Sequence, residues 1–184
     1  MKKYDDITSM LSVLYDFNER CVRANVYCRL VLLGGSGILT YMQLNGNYTF
    51  RPTSDLDGRV LMASNLDVIP TLLQQSGIQI VSGVMEVPPQ EDLLNPNFIK
   101  RLTVNLSNVE VFVPKIELLA CAKIFSKREK DLNDLLYTEI LNECDLGFLR
   151  DLVEEYKYGV TFLGHPDMNY HQLDEIMKRR GLVW

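Results

Sequence analysis

Two aspartates one residue apart, Asp55 and Asp57, follow a cluster of small residues, Gly34-Gly35-Ser36-Gly37, and these two stretches concentrate the chemistry of the chain. On an extended strand such aspartates project to one face with Cα atoms ~7 Å apart. Carboxylates that close repel each other unless a cation stands between them. Mg²⁺ suits the place, because it keeps several waters and is held by one or two carboxylates plus substrate phosphates. Mn²⁺ accepts the same oxygen donors. Gly34 and Gly35 lack a Cβ, so a phosphate can approach their backbone. If a helix starts there, its N–H groups and dipole attract that phosphate, and Ser36 adds a hydroxyl donor. Taken alone, the glycine cluster is a tight strand-to-helix turn, and the aspartates are a strand edge facing water. The cluster has neither the glycine spacing of a dinucleotide fingerprint nor the Gly-Lys-Ser/Thr of a P-loop.

The elements that must position these residues are legible nearby. Cys28 to Leu33 is an apolar run that reads as a buried strand. Ser36 to about Leu44 has helical spacing, and Asn45-Gly46-Asn47 ends it. Residues 48–54 connect, delivering Arg51 and Thr53 beside the aspartates, and Leu56 to Met62 reads as a second strand. Upstream, Tyr4 to about Arg23 reads as a helix with Ile7, Leu11, Leu14 and Cys21 on one face. Downstream, Asn65 can cap a helix that ends at Gly77, with Pro70 moving its start later. Ile78 to Val87 reads as a third strand with a bulge at Gly83, broken by Pro88-Pro89; a short turn or helix starts at Asn95-Pro96-Asn97. Leu102 to Val113 alternates as a hairpin. A two-residue turn at Ser107-Asn108 would pair its six apolar side chains on one face and leave Glu110 on the other.

The remainder is helical in pattern. Pro114 suits the first position of a helix running to about Phe125, in which Lys123 shares the face of Ile116, Leu119, Ala120 and Ile124. A lysine there must bury its stem and bring its ammonium to a polar partner, either a bound phosphate or an acid on the next helix. That next helix begins near Glu129 and carries Asp131 and Asp134 three apart. Helices from about Phe148 to Tyr156 and from about His171 to Arg180 follow, with Gly164-His165-Pro166-Asp167 as a connector between them. Strands first and helices last imply an α+β fold, a small mixed sheet with flanking helices and a helical C-terminal portion. The expected division is a core over residues 1–113 and a helical part over 114–184, packed as one unit.

Bulk properties narrow the classes. With 184 residues and 47% apolar content the chain fits a globular protein of one domain or slightly more. No apolar run approaches the ~20 residues of a membrane span. The N-terminus carries a lysine pair without an apolar signal core, so the expected location is the cytoplasm. Cys21, Cys28, Cys121 and Cys144 form no C-x-x-C pair, and with His165 and His171 they show no zinc spacing. They are read as buried thiols, and the histidines as surface residues. A net charge of −5 excludes a chain that coats nucleic acid indiscriminately, whereas Lys127-Arg128-x-Lys130 and Lys178-Arg179-Arg180 are local basic patches.

The order Leu33-Gly34-Gly35-Ser36, spacer, Asp55-Leu56-Asp57 resembles the nucleotidyltransferase superfamily of the polymerase-beta type. The Arg51-x-Thr53-x-Asp55-x-Asp57 form, with Lys123 and the Arg128-x-Lys130-Asp131-x-x-Asp134 run, is similar to the small bacterial AbiEii-like toxins and their relatives. The resemblance covers roughly residues 25 to 140. It implies transfer of a nucleoside monophosphate from an NTP to an acceptor, with Asp55 and Asp57 on Mg²⁺. Gly34, Gly35, Ser36, Arg51 and Thr53 would lie at the nucleotide, and Lys123 and Asp131 in the active site. It also implies a toxin of a toxin–antitoxin pair with tRNA as acceptor and an antitoxin as partner. A small-molecule (antibiotic) acceptor and a partner module without turnover are the alternatives. Superfamily enzymes carry a third acid on a neighbouring strand; Glu86, Asp92 and Glu110 are the candidates, Glu110 having the best strand context.

Overall fold

The computed structural model describes residues 3–81, 87–159 and 167–183. They fall into two compact units, one ending at Lys115 and the other beginning at Ile116, with residues 87–89 counted with the second.

The first unit opens with α1 (Ile7–Arg23). Asp6 caps it by accepting the Ser9 N–H at 2.7 Å, while the Ser9 hydroxyl accepts from the Asp6 N–H. The helix therefore starts later than the apolar spacing suggests. Tyr4 lies outside it, exchanging two backbone hydrogen bonds with Thr53 (2.7 and 3.0 Å). There follow β1 (Cys28–Leu32), α2 (Gly34–Leu44), β2 (Leu56–Ala63), α3 (Ile69–Ser76), β3 (Ile78–Ile80), α4 (Gln90–Leu94), β4 (Ile99–Arg101) and β5 (Val109–Pro114). Pro70 sits in the first turn of α3, which accounts for its late start, and Gly77 ends it at φ +80°.

The sheet runs β3-β2-β1-β5-β4 and is mixed: β1 pairs antiparallel to β2 and parallel to β5, β2 parallel to β3, β4 antiparallel to β5. Fold class is thus as expected, α+β with a mixed sheet. Cys28 and Leu30 lie level with Val109 and Val111, and with Leu32 and Val113 they form one fully buried face. Phe17 of α1 and Ile38, Leu39 and Met42 of α2 complete this core. The alternation turns Arg29, Glu110 and Phe112 to the other face.

Three local expectations change. The hairpin exists in another register, with Ile99, Lys100 and Arg101 facing Pro114, Val113 and Phe112, two residues from the expected pairing. Residues 102–108 form a loop. Ser107-Asn108 lacks the glycine that a two-residue turn favours, and Asn108 is held elsewhere. Its N–H donates to Asn18 Oδ1 (2.9 Å), its amide to the Val26 carbonyl (3.0 Å), and its carbonyl accepts from the Cys28 N–H (2.9 Å). Pro114 ends β5 instead of starting a helix; Lys115 then donates to the Phe98 carbonyl (2.8 Å). β3 stops at Ile80; Gly83, the expected bulge, and Glu86 lie outside the described residues.

The second unit holds α5 (Ile116–Ile124), α6 (Glu129–Tyr137), α7 (Leu146–Gly159), a 3₁₀ turn (Asn169–Gln172) and α8 (Leu173–Arg180). α5 is apolar on nearly every side, and Ile116, Leu118, Leu119, Ala120, Cys121 and Ile124 are all buried. Glu117, also buried, accepts the Asp145 N–H ahead of α7 (2.8 Å). His165 and the segment around it lie outside the described residues. Among the described residues no helix is long and apolar enough to cross a membrane.

Candidate active site

Gly34 is the first residue of α2 and has φ +55°. A Cβ there would lie 2.2 Å from Asp57 Oδ2, and one on Gly35 would lie 2.8 Å from Thr53 Oγ1. Glycine is thus required twice at Gly34, by its left-handed backbone and by the carboxylate against it. The chain is locked in this arrangement by backbone groups and the Ser36 hydroxyl. Leu33 N–H donates to the Asp57 carbonyl (2.9 Å), Asp57 N–H to Ser36 Oγ (3.0 Å), and Ser36 Oγ–H to the Leu33 carbonyl (2.9 Å). Ser36 is therefore placed otherwise than expected. It is fully buried and its hydroxyl joins the β1–α2 turn to β2, so it is not presented to a ligand. No side chain among the described residues caps α2; its first N–H groups belong to the set that a helix leaves without internal partners.

Asp55 is half-buried, just ahead of β2. Ser54 Oγ donates to its Oδ2 (2.7 Å) and Gln79 Nε2 to its Oδ1 (3.0 Å). Gln79 stands on β3 directly level with Asp57. Sequence reasoning missed it; its one signal is a polar residue between Ile78 and Ile80, and the pairing of β3 with β2 is not visible from spacing. Thr53 is buried and donates to the Asp55 carbonyl (3.2 Å), which makes it a support of the loop. Arg51 lies over the Phe50 ring, 5.2 Å from its centroid, and donates to the Pro52 carbonyl (3.1 Å). Burial first, and then the Asp55 charge, push the Tyr4 phenol above its ordinary value. Gly34, Gly35, Ser36, Thr53, Asp55 and Asp57 are thus brought together within the first unit.

Lys123, Asp131 and Asp134 come together within the second unit. The Lys123 ammonium, 4% exposed at its side chain, donates to Asp131 Oδ1 (2.8 Å) and Asp134 Oδ2 (2.6 Å). Asp131 Oδ2 also accepts from Ser126 Oγ (2.7 Å) and Arg128 Nε (2.6 Å). Burial works to raise the Asp131 carboxyl, but Lys123, Ser126 and Arg128 together hold it below its usual range. Of the two partners open to the buried lysine, the structure supplies the acids of the next helix. Asn169 adds a bond from its amide to the Lys123 carbonyl (2.9 Å).

Compared with known proteins, residues 5–179 match the family model described as a nucleotidyltransferase of unknown function (DUF6036). The chain belongs to this nucleotidyltransferase family. No curated protein matches it, and no solved structure does.

Glu110, the acid with the best strand context for a third site carboxylate, stands apart from Asp57 in the sheet. Glu110 lies level with Arg29, whereas Leu33, four residues further on and just past the end of β1, meets Asp57. That separation is ~13 Å along the strand. Its carboxylate accepts from Arg29 Nε (2.7 Å), from Arg101 Nη1 (2.8 Å) and from the Tyr27 hydroxyl. Tyr27 foremost, opposed by burial and joined by the two arginines, holds the Glu110 carboxyl below its ordinary value. Asp92 is on α4. Among the described residues no group of three or more His, Cys, Asp or Glu gathers to hold a metal ion.

Proposed function

We propose that this nucleotidyltransferase transfers a nucleoside monophosphate from an NTP to an acceptor at the Gly34–Asp57 site. The observation that carries the reading is the Asp57 carboxylate lying against the Gly34 backbone, closer than any Cβ would permit. It puts an acidic group beside a helix start suited to phosphate. Those two features need a cation to coexist around a triphosphate. The donor set fits Mg²⁺ or Mn²⁺, being two half-buried carboxylates, hard oxygen donors. Asp55 and Asp57 would hold the ion. When bound, such an ion neutralises triphosphate charge and lowers the pKa of an attacking hydroxyl. The first N–H groups of α2 receive phosphate oxygens, and Ser36 and Thr53 keep that turn in place. Lys123 and Asp131, active-site residues by resemblance, act in this reading as the ion pair that fixes α5 to α6.

The Arg51-x-Thr53-x-Asp55-x-Asp57 and Arg128–Asp134 patterns further support closeness to AbiEii-like toxins. On that resemblance we take tRNA as acceptor and an antitoxin as partner, with a small-molecule acceptor next. A nucleotide-binding partner module without turnover is favoured by one observation, the engagement of Glu110 by two arginines. The test is thermal stabilisation by each NTP with Mg²⁺. The reading expects a rise in Tm that needs both ligands and disappears in Asp55→Ala; a rise that persists in Asp55→Ala contradicts it.

A further inference from the structure

Asp55 has both carboxylate oxygens hydrogen-bonded, and both donors are neutral: the Ser54 hydroxyl on one and the Gln79 amide on the other. A carboxylate offers about four lone-pair sites, so two donors fix its plane and leave a lone pair on each oxygen. The Ser54 contact comes from the adjacent residue and moves with the loop. The Gln79 contact comes from another strand. β3 pairs in parallel with β2 and sets Leu56, Asp57 and Gly58 level with Ile78, Gln79 and Ile80. The buried Ile78 anchors this register, its side chain reaching the space beside Gly58 that Leu30 also approaches. The backbone that places Gln79 is thus the backbone that places Asp57, while the Gln79 side chain holds Asp55. One residue ties the two acids together. Its nitrogen must face Asp55, since the amide oxygen would repel a carboxylate.

We infer that Gln79 is a positioning residue, orienting Asp55 toward a divalent cation shared with Asp57. The inference rests on the proposed use of those two acids. The side-chain type matters as well as the contact. An amide fixes Asp55 without adding charge; a glutamate in the same register would bring a third carboxylate beside both acids. Partners that orient a ligating group typically change metal affinity 10–100-fold when removed, and added carboxylates tighten cation binding.

The experiment is a Mn²⁺ titration of the full chain, followed by electron paramagnetic resonance, with and without a non-hydrolysable ATP analogue. Wild type, Asp57→Ala, Gln79→Ala and Gln79→Glu are compared, and the Tm of each is recorded. The expected result is saturable binding lost in Asp57→Ala, weakened on the order of tenfold in Gln79→Ala and tightened in Gln79→Glu, where binding no longer depends on the analogue. Binding lost in Asp57→Ala but equal to wild type in both Gln79 variants would overturn the inference and leave the site standing. Binding unaffected by Asp57→Ala, or absent from wild type with the analogue, would overturn the reading of the site and the inference with it. A Gln79→Ala variant that lowers Tm but binds Mn²⁺ as the wild type does would show a structural role and overturn the inference.

Discussion

Asp55 and Asp131 are both aspartates beside polar side chains, yet the protein treats them in opposite ways. Asp131 is 1% exposed and meets Lys123, Arg128 and Ser126, so its charge is matched within the fold. Asp55 is half-buried and accepts from a hydroxyl and an amide, both neutral donors. A buried carboxylate requires a cationic partner because desolvation is severe, and its charge is then already matched within the fold. A carboxylate oriented by neutral donors keeps its charge available. Glu110 follows the first pattern at the surface, held by Arg29 and Arg101. Charge compensation, more than residue type, separates the acids that hold the fold from those suited to bind.

The contrast breaks most visibly at Lys123. Lys123→Ala removes the ammonium that two buried aspartates share and is expected to lower unfolding free energy by about 3–5 kcal/mol in urea titration. Asp55→Ala is expected to change it by about 0.5 kcal/mol, as for a surface position. Equal effects from the two would erase the distinction.

Acid titration sharpens it. The Asp131 carboxyl is held below its unfolded value near 3.8, so its contribution to stability is full above that value and is lost as pH falls through the lower folded one. Thermal melts between pH 6 and about 2 should therefore show a loss of stability below pH ~4 that Asp131→Asn lacks.

Gly34→Ala tests the other region. A left-handed non-glycine residue costs about 1–3 kcal/mol, and the added Cβ meets Asp57 Oδ2. Both Tm and the stabilisation by Mg²⁺ with NTP should fall. A variant that keeps the full ligand response would show that Asp57 need not lie against this turn. The smallest effect is expected for Glu110→Gln, about 0.2–1 kcal/mol for its surface pairs, with the NTP response intact. Loss of that response would return Glu110 to the site.

Legibility in the sequence followed the range of the interaction concerned. β1, α2 and β2 were readable because an apolar run, a glycine cluster and an apolar run are local signals, and the Gly77 stop of α3 is one as well. Lys123 on an apolar face demanded a partner, and spacing alone left phosphate and carboxylate equal. The structure supplied Asp131 and Asp134. The hairpin register is not legible because Asn108 is held by Asn18 and Val26, some 90 and 82 positions away, which no turn preference encodes. α4 escaped because five residues carry too little periodicity. Gln79 escaped because its role depends on strand pairing. Ser36 reads from sequence as a site residue for its hydroxyl, which the fold engages with backbone groups instead.

The central claim, nucleotidyl transfer through Asp55 and Asp57, is tested most directly by following label from each of four α-labelled NTPs into total bacterial tRNA with Mg²⁺. Wild type and the Asp55→Ala/Asp57→Ala double variant are compared at equal folded concentration. The account predicts label with one or more NTPs for the wild type and none for the variant. Equal incorporation by both proteins would contradict it.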